Sequence, residues 1–377
     1  MKALLPNVDH DGLLEYSVVY TDLALNHMSK RFQETMRGMN RILKQVYHAK
    51  AAVIVPGSGT FGMEAVARQF ATGKKALVIR DGFFSYRWTQ IFDMGHIPAS
   101  HTVQKARRTG NDRHSPWIPT PVAEVTAAIA AEKPNLVIAP HVETAAGIIL
   151  PDEYLKAVAA ATHAAGGLFV LDCIASGCMW VDMEAMGVDI LVTAPQKGWS
   201  GSPCCAMVML SERALGVLEG TTSTSFSCDL KKWSQIMDAY LKGGHAYHAT
   251  PPTDALYKVY QVMQEMEACG FEKLRAAQAE LGSKVRALLE KRGFPSIAAE
   301  GFKAPGVVVS YTTDPDIQSG KKFLAAGVQI ASGVPLQCDE PADFMTFRLG
   351  LFGLEKLHHV DRTVANLAEA LDQIGIK

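Results

Sequence analysis

The sequence carries almost no net charge: 37 Lys and Arg stand against 38 Asp and Glu, leaving a formal −1 at pH 7. Without a basic excess no long-range field holds the chain on nucleic acid or on an acidic membrane surface, and a small-molecule ligand is expected instead. There is no uninterrupted apolar run of the roughly 18 residues that a membrane span requires. Met1 to Gly12 has no basic region followed by an apolar core and a small-residue cleavage site, so it does not read as a signal peptide. The final Ile374-Gly375-Ile376-Lys377 is not the peroxisomal tripeptide, and a cytoplasmic setting is expected. Cysteine is sparse, with seven in 377 residues. An odd number argues against a disulfide framework. Neither Cys204-Cys205 nor Cys173 with Cys178 has a His or second Cys pair at zinc-finger spacing, so buried free thiols are expected. No internal repeat or low-complexity segment stands out.

What is present is an ordinary globular composition, 48% hydrophobic and 20% charged, too apolar for a disordered chain. The length allows one large and one small domain. From about residue 50 to residue 210, apolar runs of strand length alternate with amphipathic stretches of helix length, the pattern of an α/β fold with a mostly parallel sheet and helices on both faces. The candidate strands are Ala51 to Val55, Ala76 to Ile79, Leu136 to Pro140, Leu168 to Leu171, Ile190 to Thr193 and Ala206 to Leu210. One crossover helix opens at Pro151, carries Leu155, Val158 and Thr162 on one face, and stops at Gly166-Gly167. Another follows Pro121, with Val122, Val125 and Ile129 at helical spacing. A long helix with Phe271, Leu274, Leu281, Val285 and Leu288 on one stripe follows the Pro251-Pro252 break. After it, Gly306 to Tyr311 and Met345 to Leu349 read as short strands of a smaller α+β unit. The division expected is an N-terminal arm over 1–20, a large domain over 21–265 and a small one over 266–377.

In an open parallel sheet, ligands sit outside the carboxyl ends of the strands, so function is read in the loops there. Pro56-Gly57-Ser58-Gly59-Thr60 joins a strand to a helix carrying Met63, Val66 and Phe70. Its glycines let the backbone approach a phosphate, and the helix N-terminus offers unpaired N–H groups; a tight turn without a ligand would look the same. The spacing is neither the dinucleotide fingerprint nor the P-loop. Asp172 closes the Leu168 to Leu171 strand, where a carboxylate needs a partner: a protonated pyridine nitrogen is one, a structural ion pair or helix cap another. Lys197, in Thr193-Ala194-Pro195-Gln196-Lys197-Gly198-Trp199, follows the next strand. In an apolar loop its amine is desolvated, which favours imine formation; alone it would read as a surface charge. Alternation in the last strand sends Arg348 to the face opposite Phe347 and Leu349, where a guanidinium can grip a carboxylate with two parallel bonds or close a structural ion pair.

In this order the segments resemble the class V aminotransferases of the fold-type-I pyridoxal-phosphate enzymes, especially the alanine–glyoxylate and serine–pyruvate aminotransferase group. They are Val55-Pro56-Gly57-Ser58-Gly59-Thr60, His141-Val142-Glu143-Thr144-Ala145-Ala146-Gly147, Leu171-Asp172-Cys173-Ile174-Ala175-Ser176, Gln196-Lys197, Tyr247-His248-Ala249-Thr250-Pro251 and Phe347-Arg348-Leu349-Gly350. The resemblance implies the cofactor pyridoxal 5'-phosphate, held as a Schiff base by Lys197, with Asp172 on the ring nitrogen. It implies that Ser58, Gly59, Thr60 and Gln196 bind the phosphate, joined by Tyr247 and Thr250 from the partner subunit of a homodimer. It places Thr144 near the ring hydroxyl, Ile174 against one ring face, Phe84 as the stacking aromatic and Arg348 on the substrate carboxylate. This chain departs from the group at its start: Leu14-Glu15-Tyr16-Ser17-Val18-Val19-Tyr20 stands where relatives have a Gly-Pro-rich segment lining the substrate side, and Asn26-His27-Met28-Ser29 matches the run that follows only loosely.

The implied reaction is a ping-pong transamination between a small amino acid and a 2-oxo acid such as glyoxylate or pyruvate. Three alternatives share the anchor residues: a phosphonate transaminase, a lyase, and a cysteine desulfurase with Cys338 as its thiol. A binding protein that kept the fold without the cofactor is a fourth.

Overall fold

All six apolar runs become strands of one seven-stranded sheet. In the computed structural model residues 13–376 are described, so most of the expected arm, residues 1–12, lies outside the described residues. The strands are β1 (Ala51–Pro56), β2 (Lys75–Arg80), β3 (Ser100–Lys105), β4 (Leu136–Pro140), β5 (Leu168–Asp172), β6 (Ile190–Thr193) and β7 (Cys205–Leu210), in the spatial order β1-β7-β6-β5-β4-β2-β3. β7 runs antiparallel to both of its neighbours, and the remaining pairs are parallel. The central strands β4, β5, β6 and β7 are buried at every position, which is why they read as continuous apolar runs rather than alternating ones. β3 was not legible in the sequence. It is an edge strand whose residues, Ser-His-Thr-Val-Gln-Lys, are all at least partly exposed, and only its backbone bonds to β2 define it.

Helices cover the sheet. α1 (Lys30–Tyr47) is capped by Ser29, which accepts from the Phe32 N–H. The crossovers are α2 (Gly59–Phe70), α3 (Phe83–Gly95), α4 (Val122–Glu132), α5 (Asp152–Ala164) and the short α6 (Met183–Met186). α7 (Glu212–Glu219) and α8 (Leu230–Leu241) follow β7. Two helices follow the proline pair, α9 (Thr253–Cys269) and α10 (Phe271–Lys291), and the second is the one expected. The chain turns between them at Gly270, whose φ of 90° is a conformation that side chains resist. The apolar stripe belongs to α10, with Leu274, Leu281, Val285 and Leu289 buried and Leu288 only half so.

Beyond α10 a small antiparallel sheet holds β8 (Val307–Tyr311), β9 (Ala331–Ser332) and β10 (Thr346–Gly350), with β10 in the middle. Phe347 and Leu349 are buried and Arg348 faces the other way, as alternation requires. Backbone bonds tie this unit to the loop after β4: Ala304 N–H donates to Gly147 O at 2.8 Å and Ile149 N–H to Phe302 O at 2.8 Å. Among the described residues no helix is long and apolar enough to cross a membrane.

Candidate active site

The parallel strands deliver their following loops to one edge of the sheet. After β1, Gly57 adopts a φ of 120°, and a Cβ there would lie 2.7 Å from the Phe61 ring. Ser58 is the N-cap of α2 but makes no side-chain capping bond, so its hydroxyl is uncommitted. By position the Gly59 and Thr60 N–H groups have no intrahelical acceptor. A Cβ on Gly59 would come within 2.6 Å of Ile174 Cδ1, so the loop closes tightly against the β5 side only because residue 59 is glycine.

Asp172 and Lys197 follow adjacent parallel strands, β5 and β6. Asp172 is buried; its Oδ1 accepts from the Ile174 N–H at 3.1 Å and its Oδ2 from Trp88 Nε1 at 3.2 Å. Burial pushes this carboxyl up to about 6, with the two hydrogen bonds and Lys197 acting against that rise and Glu143 adding to it. The Lys197 loop is closed by Ser200 N–H to Lys197 O at 3.0 Å and Gly201 N–H to Pro195 O at 2.9 Å. Trp199 anchors it in a buried aromatic group, 4.8 Å from Trp180 and 6.0 Å from Phe271 between ring centroids. Burial lowers the proton affinity of the Lys197 amine, Arg348 lowers it further, Asp172 and Glu143 oppose, and Arg87 adds a smaller push down. An amine held in this way is nearer the neutral, nucleophilic form than a surface lysine.

Helix α3 supplies the third wall. Phe84, Arg87 and Trp88 lie within one turn of each other on it. The start of the helix is fixed by the buried Glu143: one carboxylate oxygen accepts from the Phe84 N–H at 3.2 Å, and the other from the Ser85 N–H at 2.9 Å and Ser85 Oγ at 2.7 Å. The same carboxylate accepts from the Ala145 N–H at 2.9 Å, tying α3 to the loop that carries Thr144. A Cβ at Gly82 would lie 2.7 Å from Glu143 Cγ, so residue 82 leaves room for that clamp.

These loops enclose a cavity of about 210 Å³ lined by Ser58, Gly59, Thr60, Phe84, Thr144, Asp172, Ile174, Gln196 and Lys197, together with Arg87. Nine expected site residues are thus brought together. Arg348 stands beside them, its guanidinium carbon 5.3 Å from the Phe84 ring centroid and its Nε donating to Ser332 O at 2.7 Å. Tyr247 and Thr250 do not line the cavity; they bond to each other at 2.8 Å, with Tyr247 52% exposed. Cys338, the thiol a desulfurase would need, is buried and donates to Arg80 O at 3.4 Å, and burial drives it toward the protonated form. Sequence reasoning missed Arg87, Trp88 and the role of Glu143. The signal for Arg87 was its helical spacing from Phe84, which puts both on one face.

The cavity fits the cofactor that the sequence implies. Asp172 is buried with Lys197 acting on it as a cation, the α2 start is closed at a glycine whose place a Cβ would fill, and the Gln196 side-chain oxygen is buried without a hydrogen-bond partner. A ring carrying a cationic nitrogen and a phosphate satisfies all three.

The family model for aminotransferase class V matches residues 10–346. The chain is 29% identical over 333 residues to a 2-aminoethylphosphonate–pyruvate transaminase of Burkholderia ambifaria, covering 86% of this chain and 83% of that one. It is 26% identical over 337 residues to alanine–glyoxylate aminotransferase 1 of Saccharomyces cerevisiae, covering 82% of each. Among solved structures, the aspartate aminotransferase of subgroup IV from Thermus thermophilus superposes with a TM-score of 0.74 at 24% identity, covering 93% of both chains.

Proposed function

The chain belongs to the class V aminotransferase family, whose enzymes depend on pyridoxal phosphate, and from that premise we propose that it moves the amino group of a small amino acid to a 2-oxo acid such as glyoxylate or pyruvate. The observation that carries this reading is the meeting of Lys197 and Asp172 in one small cavity, with Arg348 beside it against the Phe84 ring that lines the same cavity.

Bound pyridoxal phosphate would supply an electron-accepting ring and the aldehyde carbon that receives the amino group. Asp172 would face the ring nitrogen, where a cation beside it favours its ionised form. Lys197 would hold the cofactor as a Schiff base and, once released by the incoming amine, hold and move the proton at the substrate Cα. Arg348, with Nε committed to Ser332 O, keeps its terminal nitrogens for the α-carboxylate. Ser58, Gly59, Thr60 and Gln196 would take the phosphate, Thr144 the ring hydroxyl, and Phe84 and Ile174 the two ring faces. Because the 2-oxo acid acceptor has the same carboxylate, one set of side chains serves both halves of a ping-pong exchange.

The homodimer belongs to the same proposal. Tyr16, Val18, Phe61, Phe226 and Tyr247 expose large apolar surface in the single chain, and a second copy covering it would bring Tyr247 and Thr250 to its partner's phosphate. A division near residue 265 is supported by the helix break at Gly270, just beyond α9, and a cytoplasmic setting by seven free cysteines. A second reading, transfer from 2-aminoethylphosphonate, is favoured by relatives of that name at 26–29% identity.

The test is a half-reaction screen: amino donors are added singly to the cofactor-loaded enzyme, and the visible absorbance is followed until glyoxylate or pyruvate restores it. Response to small α-amino acids supports the proposal. Response to 2-aminoethylphosphonate alone replaces it with the second reading, and response to no donor removes both.

A further inference from the structure

Arg87 has no role in the reading above, yet its place in the cavity calls for an anion. Its Nη1 donates to Thr60 Oγ1 at 3.2 Å and its guanidinium carbon lies 5.2 Å from the Phe84 ring centroid. The side chain is half-buried, and among the described residues no carboxylate lies within ion-pair distance of it. It sits instead against the start of α2, which has no acidic residue in its first turn and whose N–H groups carry partial positive charge. A guanidinium pressed on the positive end of a helix is an arrangement of like charges. It is stable when an anion lies between them.

The charge inventory says which anion. Ser58, Gly59, Thr60 and Gln196 are uncharged, and so are Tyr247 and Thr250, whereas a phosphate monoester carries close to two negative charges near neutral pH. Asp172 accepts from Trp88 Nε1 and makes no bond to Arg87. Arg348 contacts the same Phe84 ring but is held by Ser332 of the small sheet. Arg87 is the cation at the α2 end. The Glu143 clamp fixes the helix that carries it, so the guanidinium is set in place before any ligand arrives.

We propose that Arg87 is the charged member of the phosphate cradle, with its guanidinium turning from Thr60 Oγ1 to the phosphate of bound pyridoxal phosphate while resting on the edge of Phe84. The inference rests on the cofactor-site reading above and adds a residue to it. Part of the affinity for the cofactor is then charge-assisted and sensitive to salt.

The experiment compares pyridoxal phosphate with pyridoxal, which lacks the phosphate, as ligands of the cofactor-free wild type, Arg87→Gln and Arg87→Lys, by visible absorbance and tryptophan quenching. Arg87→Gln should bind pyridoxal phosphate about ten- to a hundredfold more weakly, as expected on losing one charge-assisted bond, and pyridoxal as the wild type does. Arg87→Lys should recover part of the loss, and raising the salt should weaken the wild type more than Arg87→Gln. Retained pyridoxal binding shows that the variants are folded. Equal weakening toward both ligands, or none toward either, overturns the inference while the wild type's binding leaves the cofactor site standing. Weakening confined to donors with a second anionic group would also overturn it and move Arg87 to the substrate. A wild type that binds neither ligand ends both readings.

Discussion

The sharpest quantitative expectation concerns Asp172→Asn in the cofactor-free protein. Burial raises the Asp172 carboxyl from 3.8 to about 6. A rise of about two units, at 1.4 kcal/mol each, corresponds to about 3 kcal/mol. The folded chain holds this proton more tightly than the unfolded chain, so the contribution is complete below the unfolded value and is lost as pH climbs through about 6. About 1.4 kcal/mol of it remains at pH 5 and is gone by pH 8. Asparagine has no proton to lose. Because its amide cannot accept from both Ile174 N–H and Trp88 Nε1, it adds an offset of about 1 kcal/mol that does not vary with pH. His141, buried and pushed down to about 4, contributes the opposite slope over part of the range; it is common to both proteins and cancels in their difference. Urea unfolding at pH 5 and pH 8, at one protein concentration, should therefore show the wild type losing about 1.4 kcal/mol more than Asp172→Asn. Saturating pyridoxal phosphate should abolish the excess, because a cation beside the carboxylate favours its ionised form. Parallel profiles for the two cofactor-free proteins would refute the argument.

Glu143→Gln presents a hydrogen-donating group to N–H donors that the carboxylate now satisfies, and should lower stability by about 1–3 kcal/mol in urea unfolding while altering the near-ultraviolet signal of Trp88. Gly198→Ala forces a Cβ to within 2.2 Å of Gly177 O and should displace the Lys197 loop, read as lost cofactor absorbance. Gly216→Ala in α7, with nothing within 4 Å of the added carbon, should instead raise stability by about 0.5–1 kcal/mol. Mixing Lys197→Ala subunits with subunits carrying Tyr247→Phe and Thr250→Ala should yield hybrid dimers with one intact site, detected as activity above the sum of the two parents; no gain would remove Tyr247 and Thr250 from the partner's site.

The parts of the site legible in the sequence were those at strand ends. Asp172 stands out because a charged residue closing a buried apolar strand is costly without a reason, and Lys197 because it lies in the loop after the next buried strand. The helix starts at Ser58 and Pro151 were legible from loop chemistry. Glu143 was not, and Arg87 only as a helical neighbour of Phe84, because each role depends on a meeting between segments: Arg87 on α2 with α3, Glu143 on α3 with the loop after β4. β3 was hidden for a related reason, since a polar edge strand takes its form from backbone bonds that leave no pattern of side chains. The stripe of α10 was legible from its helical spacing, whereas α9 was not named.

Asp172 closes β5 and Lys197 lies in the loop after its parallel neighbour β6, while Arg348 belongs to a separate antiparallel sheet. On the proposed reading, bond-making and substrate choice have separate anchors. Mutation can redraw what is admitted without disturbing what is done to it, so a chain of this build can drift between donors while its reaction stays the same.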